Sequence, residues 1–182
     1  MKKLNCLDME IAVAQSFGYR QNTIVPNISY GLWIHEVDVL IISKSGYATE
    51  VEIKTSISDL KADLNKKHGH SSNKIKYLYF VIPEELKEKA LPLIPERAGL
   101  IIVKQDQYKY LWCEVIKSPR VNKEARALTQ EELTKLGYLA SLRIWNLKRI
   151  IRGLKNENCN LRNNTGNNKT QTSSPNSSQD LL

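Results

Sequence analysis

Hydrophobic residues in the first third of the chain follow helical spacing once and then strand-like spacing three times. The segment "DMEIAVAQSFGY" places apolar residues at helical spacing and stops at Gly18, which predicts an opening helix. The segments "NTIVPNISYGLW", "EVDVLIIS" and "YATEVEIK" are rich in β-branched and aromatic residues and break at Pro, Gly or Ser. This composition is typical of strands.

The next segments predict a second helix and a buried strand. In "SISDLKADLNKKHG", Ile57, Leu60 and Leu64 share one stripe, and Ser58 is placed to cap the first turn. The following segment "KYLYFVIP" is apolar on both faces, as expected of a central strand that is covered on both sides.

The remaining pattern completes an α/β domain. We expect a short helix in "PEELKEKALPLI", strands in "AGLIIVK" and "YKYLWCEVI", and a long helix from Thr129 to Lys155 that begins with the capping-box sequence "TQEE". From Asn156 onward Asn, Ser and Thr dominate, with too little apolar area to offset the entropy of ordering. The sequence therefore predicts one domain over residues 1–155 and a disordered polar tail over residues 156–182.

Charge and composition narrow the classes of partner. The formal net charge is +8, which favours a polyanionic partner, nucleic acid first and an anionic membrane surface second. No apolar run approaches the ~20 residues of a membrane helix, and Asp8 and Glu10 interrupt the apolar core that a signal peptide needs. The three cysteines are far apart, which excludes a disulfide framework and a CxxC metal site. We expect a soluble cytoplasmic protein that does not use the membrane or a small-molecule cofactor.

The segment "HEVDVLIISKSGYATEVEIK" predicts a hairpin with an acidic face. The connection "KSG" ends in glycine, which suits a turn whose last residue takes a positive φ. If this turn closes the hairpin, opposed residues have numbers that sum to 90, so Asp38 faces Glu52 and Glu36 faces Lys54. Alternation then divides the two strands into an acidic and an apolar face. The acidic face carries Glu36, Asp38, Leu40, Ala48, Glu50, Glu52 and Lys54, and the apolar face carries Val37, Val39, Ile41, Val51 and Ile53.

Two opposed carboxylates on strands ~4.8 Å apart oppose folding unless a positive charge lies between them. Lys54 supplies part of that charge, and a Mg²⁺ or Mn²⁺ ion held by Asp38 and Glu52 would supply the rest. The lysine could then orient or deprotonate a metal-bound water and stabilise charge on a phosphate. The alternative is a solvated hairpin face on which acids and lysines simply alternate.

These residues resemble the PD-(D/E)xK nuclease superfamily, in which Asp38 would be the first motif and "EIK", Glu52 to Lys54, the second. The segment "EVEIKTSISDLKADLNKKHG", followed by "KYLYFVIPEEL", is most similar to the MmcB-like DNA-repair branch. The matching positions after the ExK motif are Ser56, Asp59, Leu60, Asp63 and Pro83. The resemblance covers roughly residues 5 to 105. It implies a restriction-endonuclease-like core, with a mixed central sheet of about five strands flanked by helices.

The resemblance also implies an activity and a set of site residues. It implies metal-dependent hydrolysis of a DNA phosphodiester, in DNA repair or processing, with Mg²⁺ or Mn²⁺ on Asp38, Glu52 and the Ile53 carbonyl. Lys54 would be the catalytic lysine. Glu10 matches the position of an additional acidic metal ligand in many members, and its alternative is an exposed helix glutamate. Two departures are Val37 before Asp38, where proline is common, and "KKHGHSSNKIKY" in place of an expected K-W-x-x-Y segment.

Other polar residues allow more than one interpretation. His68 and His70, with Lys66 and Lys67, form a basic loop, for which we expect solvation or phosphate contact by the lysines rather than a zinc site, because no third ligand is near in the sequence. Asp59 and Asp63 lie one turn apart on the polar side of their helix.

On the last helix, Trp145 shares a stripe with Lys148, Arg149 and Arg152. The indole could stack on a base while the cations contact phosphates, or the group could be a cation–π cluster or a subunit contact. Trp33 and Trp112 are expected in core or edge packing.

The leading hypothesis is therefore an Mg²⁺-dependent DNA endonuclease of the PD-(D/E)xK type. The first alternative is a non-catalytic nucleic-acid-binding or assembly protein that retains the fold, and the second is a basic module unrelated to nucleases. A homodimer is left open, because dimers are common where both strands are cut.

Overall fold

The computed structural model describes residues 4–28, 31–66, 70 and 72–167, without the side chains of residues 159–167. Its structure is α/β, with one mixed six-stranded sheet flanked by helices, so the predicted fold class is confirmed. The sheet has one strand more than the five or so that were expected. In chain order the elements are α1 (Cys6–Ser16), β1 (Thr23–Ile28), β2 (Val37–Ile42), β3 (Ala48–Ile53), α2 (Ile57–Leu64), β4 (Ile75–Pro83), α3 (Lys87–Ala90), β5 (Gly99–Gln105), β6 (Leu111–Lys117) and α4 (Gln130–Asn167).

The strands lie in the sheet in the order in which they occur in the chain. Strands β1, β2 and β3 pair antiparallel, β3, β4 and β5 pair parallel, and β6 pairs antiparallel with β5 at the far edge. The parallel pairs need crossover connections, which α2 and the segment around α3 provide. Strand β4 is central and Phe80, Val81 and Ile82 are fully buried in it, as its two-sided apolar pattern predicted.

The β2–β3 hairpin has the predicted register. Val39 pairs with Val51 and Leu40 with Glu50, so the numbers of opposed residues sum to 90. Gly46 has a φ of 80°, a left-handed conformation that a side chain disfavours, and its N–H donates to the Ser43 carbonyl at 2.9 Å. The turn therefore fixes which residues of β2 and β3 share a face.

Helices cover both faces of the sheet. Met9, Ala12 and Val13 of α1 pack against one face, which includes Val39 and Val51. Leu60 of α2 packs on the opposite face against Phe80, and Leu136 at the start of α4 packs beside Leu40. The hairpin face that was predicted to be acidic is thus apolar at its Leu40 and Ala48 end. Val37, expected on the apolar face, packs with Leu40 and Ile42 instead.

Side-chain caps begin α2 and α4. Ser56, not the predicted Ser58, caps α2 and accepts a hydrogen bond from the Asp59 N–H at 3.1 Å. Thr129 and Glu132 form the predicted capping box of α4. The Glu132 N–H donates to Thr129 Oγ1 at 3.2 Å, and the Thr129 N–H donates to Glu132 Oε2 at 2.9 Å.

Helix α4 continues to Asn167, beyond Lys155, where the sequence predicted its end. The predicted disordered tail therefore overlaps this helix at residues 156–167, and residues 168–182 lie outside the described part of the chain. A helix that has already formed extends at little cost, because the unfavourable step is nucleation. The chain divides into two compact units, residues 1–140 and 141–182, rather than at position 155.

The two edge strands of the sheet differ. Edge strand β1 contains Pro26, which has no N–H, and Asn27, whose φ of 54° interrupts the extended backbone. Edge strand β6 contains Trp112, which stacks on Tyr110 as the prediction of edge packing allows. Trp33 lies in the loop after β1 and is 93% exposed, so the prediction that it packs in the core or at an edge is wrong. No helix in the described ranges has the length and apolar character required to cross a membrane.

Candidate active site

The predicted residues Asp38, Glu52 and Lys54 meet at the open end of the β2–β3 hairpin. The Lys54 Nζ lies 2.8 Å from Glu52 Oε2 and 3.6 Å from Asp38 Oδ2. The Ile53 N–H also donates to Asp38 Oδ2 at 2.8 Å. Both carboxylates therefore approach the same ammonium group, as the register of the hairpin requires.

Glu52 carries an unusual charge environment. Burial raises the pKa of Glu52 to about 7, and the neighbouring charge of Asp38 acts in the same direction, while Lys54 opposes both. Glu52 Oε1 is buried and has no hydrogen-bond partner among the described residues. The side chain of Asp38 is partly exposed, whereas that of Glu52 is buried. The pair thus combines a buried, unsatisfied oxygen of Glu52 with a partly exposed carboxylate of Asp38.

Lys54 is surrounded by carboxylates. Besides Glu52 and Asp38, Asp63 Oδ1 of α2 lies 3.2 Å from the Lys54 Nζ. Burial alone would lower the pKa of Lys54, but the charge and hydrogen bond of Glu52, with the charges of Asp38 and Asp63, raise it above its ordinary value. Lys54 is therefore an ammonium cation in this arrangement.

His70 joins the site to a second group of buried charges. Its Nε2–H donates to Asp63 Oδ2 at 2.7 Å, and its Nδ1–H donates to Glu50 Oε1 at 2.5 Å. His35 Nε2–H donates to the same Glu50 oxygen at 2.6 Å. Because both His70 nitrogens contact carboxylate oxygens, the ring is an imidazolium. Although burial opposes it, hydrogen bonds to Asp63 and Glu50 raise the pKa of His70 to about 9.

The carboxylates of this second group are held in their charged form. Burial would raise the pKa of Glu50, but hydrogen bonds from His35 and His70 lower it. Burial would likewise raise the pKa of Asp63, but hydrogen bonds from His70 and Lys66 and the charge of Lys54 lower it. We call His35, Glu50, His70, Asp63 and Lys54 the buried charge chain.

The alternative of a solvated hairpin face is therefore wrong. Glu50, Glu52 and Lys54 are each at least 95% buried. The sequence also misplaced Asp63, expected on a polar helix face, and His70, expected in a solvated loop, since both are buried. Their partners come from β3 and α2, so no local spacing signalled them, although Asp63 matched a position of the MmcB-like pattern.

Two groups of three residues within the described ranges could each hold a metal ion, His35 with Glu50 and His70, and Glu52 with Asp63 and His70. In both groups, however, His70 already donates a proton from each ring nitrogen to a carboxylate. The predicted Mg²⁺ ligands Asp38 and Glu52 fit a hard cation better, because both offer carboxylate oxygens and neither ligand is a protonated imidazole.

Glu10, the fourth predicted ligand, lies in α1 and is half-buried. Its Oε1 accepts a hydrogen bond from the Cys6 thiol at 3.8 Å. Burial raises the pKa of Glu10, and the charge of Asp38 adds to that effect. The charges of Glu10 and Asp38 therefore influence each other.

The residues predicted to contact nucleic acid lie in two separate parts of the chain. The Lys66 ammonium is paired with Asp63 Oδ1, and Lys67 and His68 lie outside the described residues. Trp145 is exposed on α4, with the Lys148 Nζ 5.6 Å from its ring centre. Arg149 and Arg152 are exposed on the same helix. We call Trp145, Lys148, Arg149 and Arg152 the basic stripe.

Comparison with known proteins gives a fold relationship alone. No family model matches the chain, and no curated protein matches it. Among solved structures, the chain is similar to the SPO1766 protein of unknown function from Silicibacter pomeroyi. The TM-score is 0.57 and the identity 19%, over 77% of this chain and 88% of that one. Similarity at this identity shows a shared α/β fold.

Proposed function

We propose that this protein is a metal-dependent DNA endonuclease of the PD-(D/E)xK type, with a restriction-endonuclease-like core and most similar to the MmcB-like DNA-repair branch. The observation that carries the proposal is the convergence of Asp38 and Glu52 on the Lys54 ammonium group, with Glu52 Oε1 left unpaired. A buried carboxylate oxygen without a partner is costly, and a hard divalent cation would satisfy it.

In this proposal Asp38, Glu52 and the Ile53 carbonyl hold Mg²⁺ or Mn²⁺, and Glu10 adds a carboxylate from α1. The ion would lower the pKa of a bound water and neutralise charge on the scissile phosphate. Lys54 stabilises negative charge that develops on the phosphate, and its three carboxylate neighbours favour this role over that of a general base.

The proposed substrate is DNA. Support comes from the net charge of +8 and from the basic stripe, where an exposed indole lies among cations. Phosphate contacts would come from Lys148, Arg149 and Arg152, with Lys66 and Lys67 as further candidates, and stacking would come from Trp145. We propose that the protein acts in DNA repair or processing in the cytoplasm.

A cleavage panel tests the activity. Plasmid, branched and single-stranded DNA are incubated with Mn²⁺ or Mg²⁺, with EDTA as the metal-free control. We expect cutting by the wild type and a loss of roughly 100-fold or more in Lys54→Met, the order of effect seen when one charge-stabilising donor is removed. No cutting of any of the three substrates would contradict the proposal.

Metal binding is tested separately by thermal melting. Mn²⁺ should raise the Tm of the wild type, because an ion that binds only the folded state stabilises it. Asp38→Asn should lose this rise, whereas Asp59→Asn, an exposed carboxylate of α2, should keep it. An equal rise in both variants would place the ion elsewhere.

The alternative is a non-catalytic nucleic-acid-binding protein. One observation favours it: Lys54 is already paired with three carboxylates, and Lys66 and His70 add positive charge at one of them, so cations of the protein offset the acidic charge without an ion. Under this alternative DNA stays uncut, while Lys54→Met binds it as tightly as the wild type does.

A further inference from the structure

The distal part of α4 carries four aliphatic residues at alternating spacings of three and four. They are Ile144, Leu147, Ile151 and Leu154, which we call the aliphatic stripe, and each is about half exposed. Spacings that alternate between three and four average 3.5 residues over each full heptad, and this period keeps such a stripe facing a partner helix when two helices supercoil around each other. The stripe is thus built to pack against another helix.

The residue types in the stripe indicate how many helices associate and in which orientation. The β-branched residues Ile144 and Ile151 occupy the a positions of the heptad, and Leu147 and Leu154 occupy the d positions. This distribution favours two parallel strands, and a single polar residue at an a position fixes register and strand number. Asn158 stands at the next a position and is exposed. We propose that a second copy of this chain covers the aliphatic stripe and forms a parallel two-stranded coiled coil with the distal part of α4.

An anionic membrane surface is the alternative partner of the aliphatic stripe. A helix that lies on a membrane needs a wide apolar face, but no division of Ile and Leu between alternate positions. Its aromatic residues also lie on the apolar side, whereas Trp145 lies with Lys148 in the basic stripe. The pattern therefore favours a second copy over a lipid surface.

The positions that flank the stripe make the association depend on salt. Arg143 occupies a g position, and Lys148 and Lys155 occupy e positions. In a parallel pair the g residue of one helix approaches the e residue of its partner, so Arg143 faces Lys148. This repulsion is screened by ions, and we expect the dimer to strengthen as salt concentration rises.

Sedimentation equilibrium over a concentration series tests the pairing without DNA or metal, so its outcome does not depend on the nuclease proposal. We expect a reversible dimer for the full-length wild type and a monomer for Leu147→Lys. Leu142→Lys is the matched control, because it adds the same charge to an exposed leucine of the same helix at the outermost heptad position. We expect this control to dimerise, with both variants folded by circular dichroism.

A monomeric wild type, or a dimer that survives Leu147→Lys, would overturn the proposal. Vesicles of equal parts phosphatidylcholine and phosphatidylglycerol form the second arm. Binding of a monomeric wild type to them, lost in Leu147→Lys, would assign the stripe to a lipid surface instead.

Oxidative crosslinking tests the parallel orientation. Asn158→Cys is introduced into a chain in which the native cysteines Cys6, Cys113 and Cys159 are replaced by serine. In a parallel pair the two residues at position 158 are adjacent, so mild oxidation should produce a disulfide-linked dimer. A dimer that resists crosslinking would overturn the parallel arrangement.

Discussion

At the scale of single residues, the buried charge chain decides how the site responds to substitution and pH. His70 lies between Glu50 and Asp63, and Asp63 in turn contacts Lys54. Removal of one member of a buried ion pair is costly, because the remaining charge is left without a partner in a medium of low polarity. We therefore expect a substitution at any member of the buried charge chain to affect the other members as well.

The pH dependence of stability follows from His70. Its pKa is about 9 in the folded protein and ordinarily 6.5, so the folded state binds the proton more tightly. The resulting stabilisation is fully present below pH 6.5 and is lost as pH rises through 9. We expect the free energy of unfolding to fall by up to about 3 kcal/mol across this window.

Urea unfolding at a series of pH values measures this loss. In His70→Asn the loss should be absent, and in Glu50→Gln it should shrink, because one of the two acceptors no longer carries charge. An unchanged slope in His70→Asn would assign the pH dependence to another group.

Asp63 and Asp59 offer a matched pair of substitutions on α2. Asp63→Asn should destabilise the protein by about 3 kcal/mol, because it removes a charged partner from His70, Lys54 and Lys66. Asp59→Asn should cost less than about 1 kcal/mol, since this exposed residue interacts chiefly with the helix dipole. Chemical denaturation of both variants measures the difference, and equal costs would contradict the buried role of Asp63.

Local sequence could predict only part of this site. Asp38, Glu52 and Lys54 were predictable, because a tight turn and two-residue alternation fix their register. Glu50 was placed on the correct face, but its burial was not foreseen, because α2 and the residue at position 70 cover it from elsewhere in the sequence. His70 had no local signal, since it binds one residue of β3 and one of α2.

At the scale of elements, the β2–β3 hairpin links turn geometry to the site. Gly46→Ala should cost about 1–2 kcal/mol, because φ is 80° and alanine disfavours the left-handed region. An added Cβ would also lie 3.3 Å from the Ala127 Cβ. Lys44→Ala, at an exposed position of the same turn, is the control and should be nearly neutral. Thermal melting compares the two, and equal Tm values would show that the turn does not hold the hairpin.

Helix boundaries were predicted less well than helix positions. Two serines lie near the start of α2, and only the extended backbone at Ser56, with a ψ of 159°, identifies the cap. The end of α4 was missed because polar composition was taken to stop the helix. Asn and Arg do not break a helix as Pro does.

At the scale of the whole molecule, the surface charges determine how DNA affinity depends on salt. We expect Arg149→Ala to reduce the slope of log K against log salt by about 1, as the loss of one phosphate contact requires. Arg20→Ala removes an equal charge from an exposed position in the other unit and should leave the slope nearly unchanged. Fluorescence anisotropy at several salt concentrations makes the comparison.

Trp145→Ala tests base stacking in the same assay. It should weaken binding several-fold while the salt slope stays constant, because stacking releases no counterions. An unchanged affinity would remove the indole from the DNA surface.

The α/β class was predictable because hydrophobic spacing changes period at each element boundary. The division after residue 140 was not, because an uninterrupted helical pattern crosses it. Trp33 was misplaced because its strand-like segment ends early, at Ile28, and an indole in a loop has the same local sequence as one in a strand.

The contrast between the two edge strands bears on aggregation. An unpaired strand edge is a template for another chain, but Pro26 and the kinked backbone at Asn27 disrupt the row of donors that an incoming strand would need on β1. Strand β6 has no proline and leaves Val115 exposed. Amyloid-like growth, if concentrated samples develop it, should therefore begin at the β6 side, and a charged residue in place of Val115 is the first change to make for long-term storage.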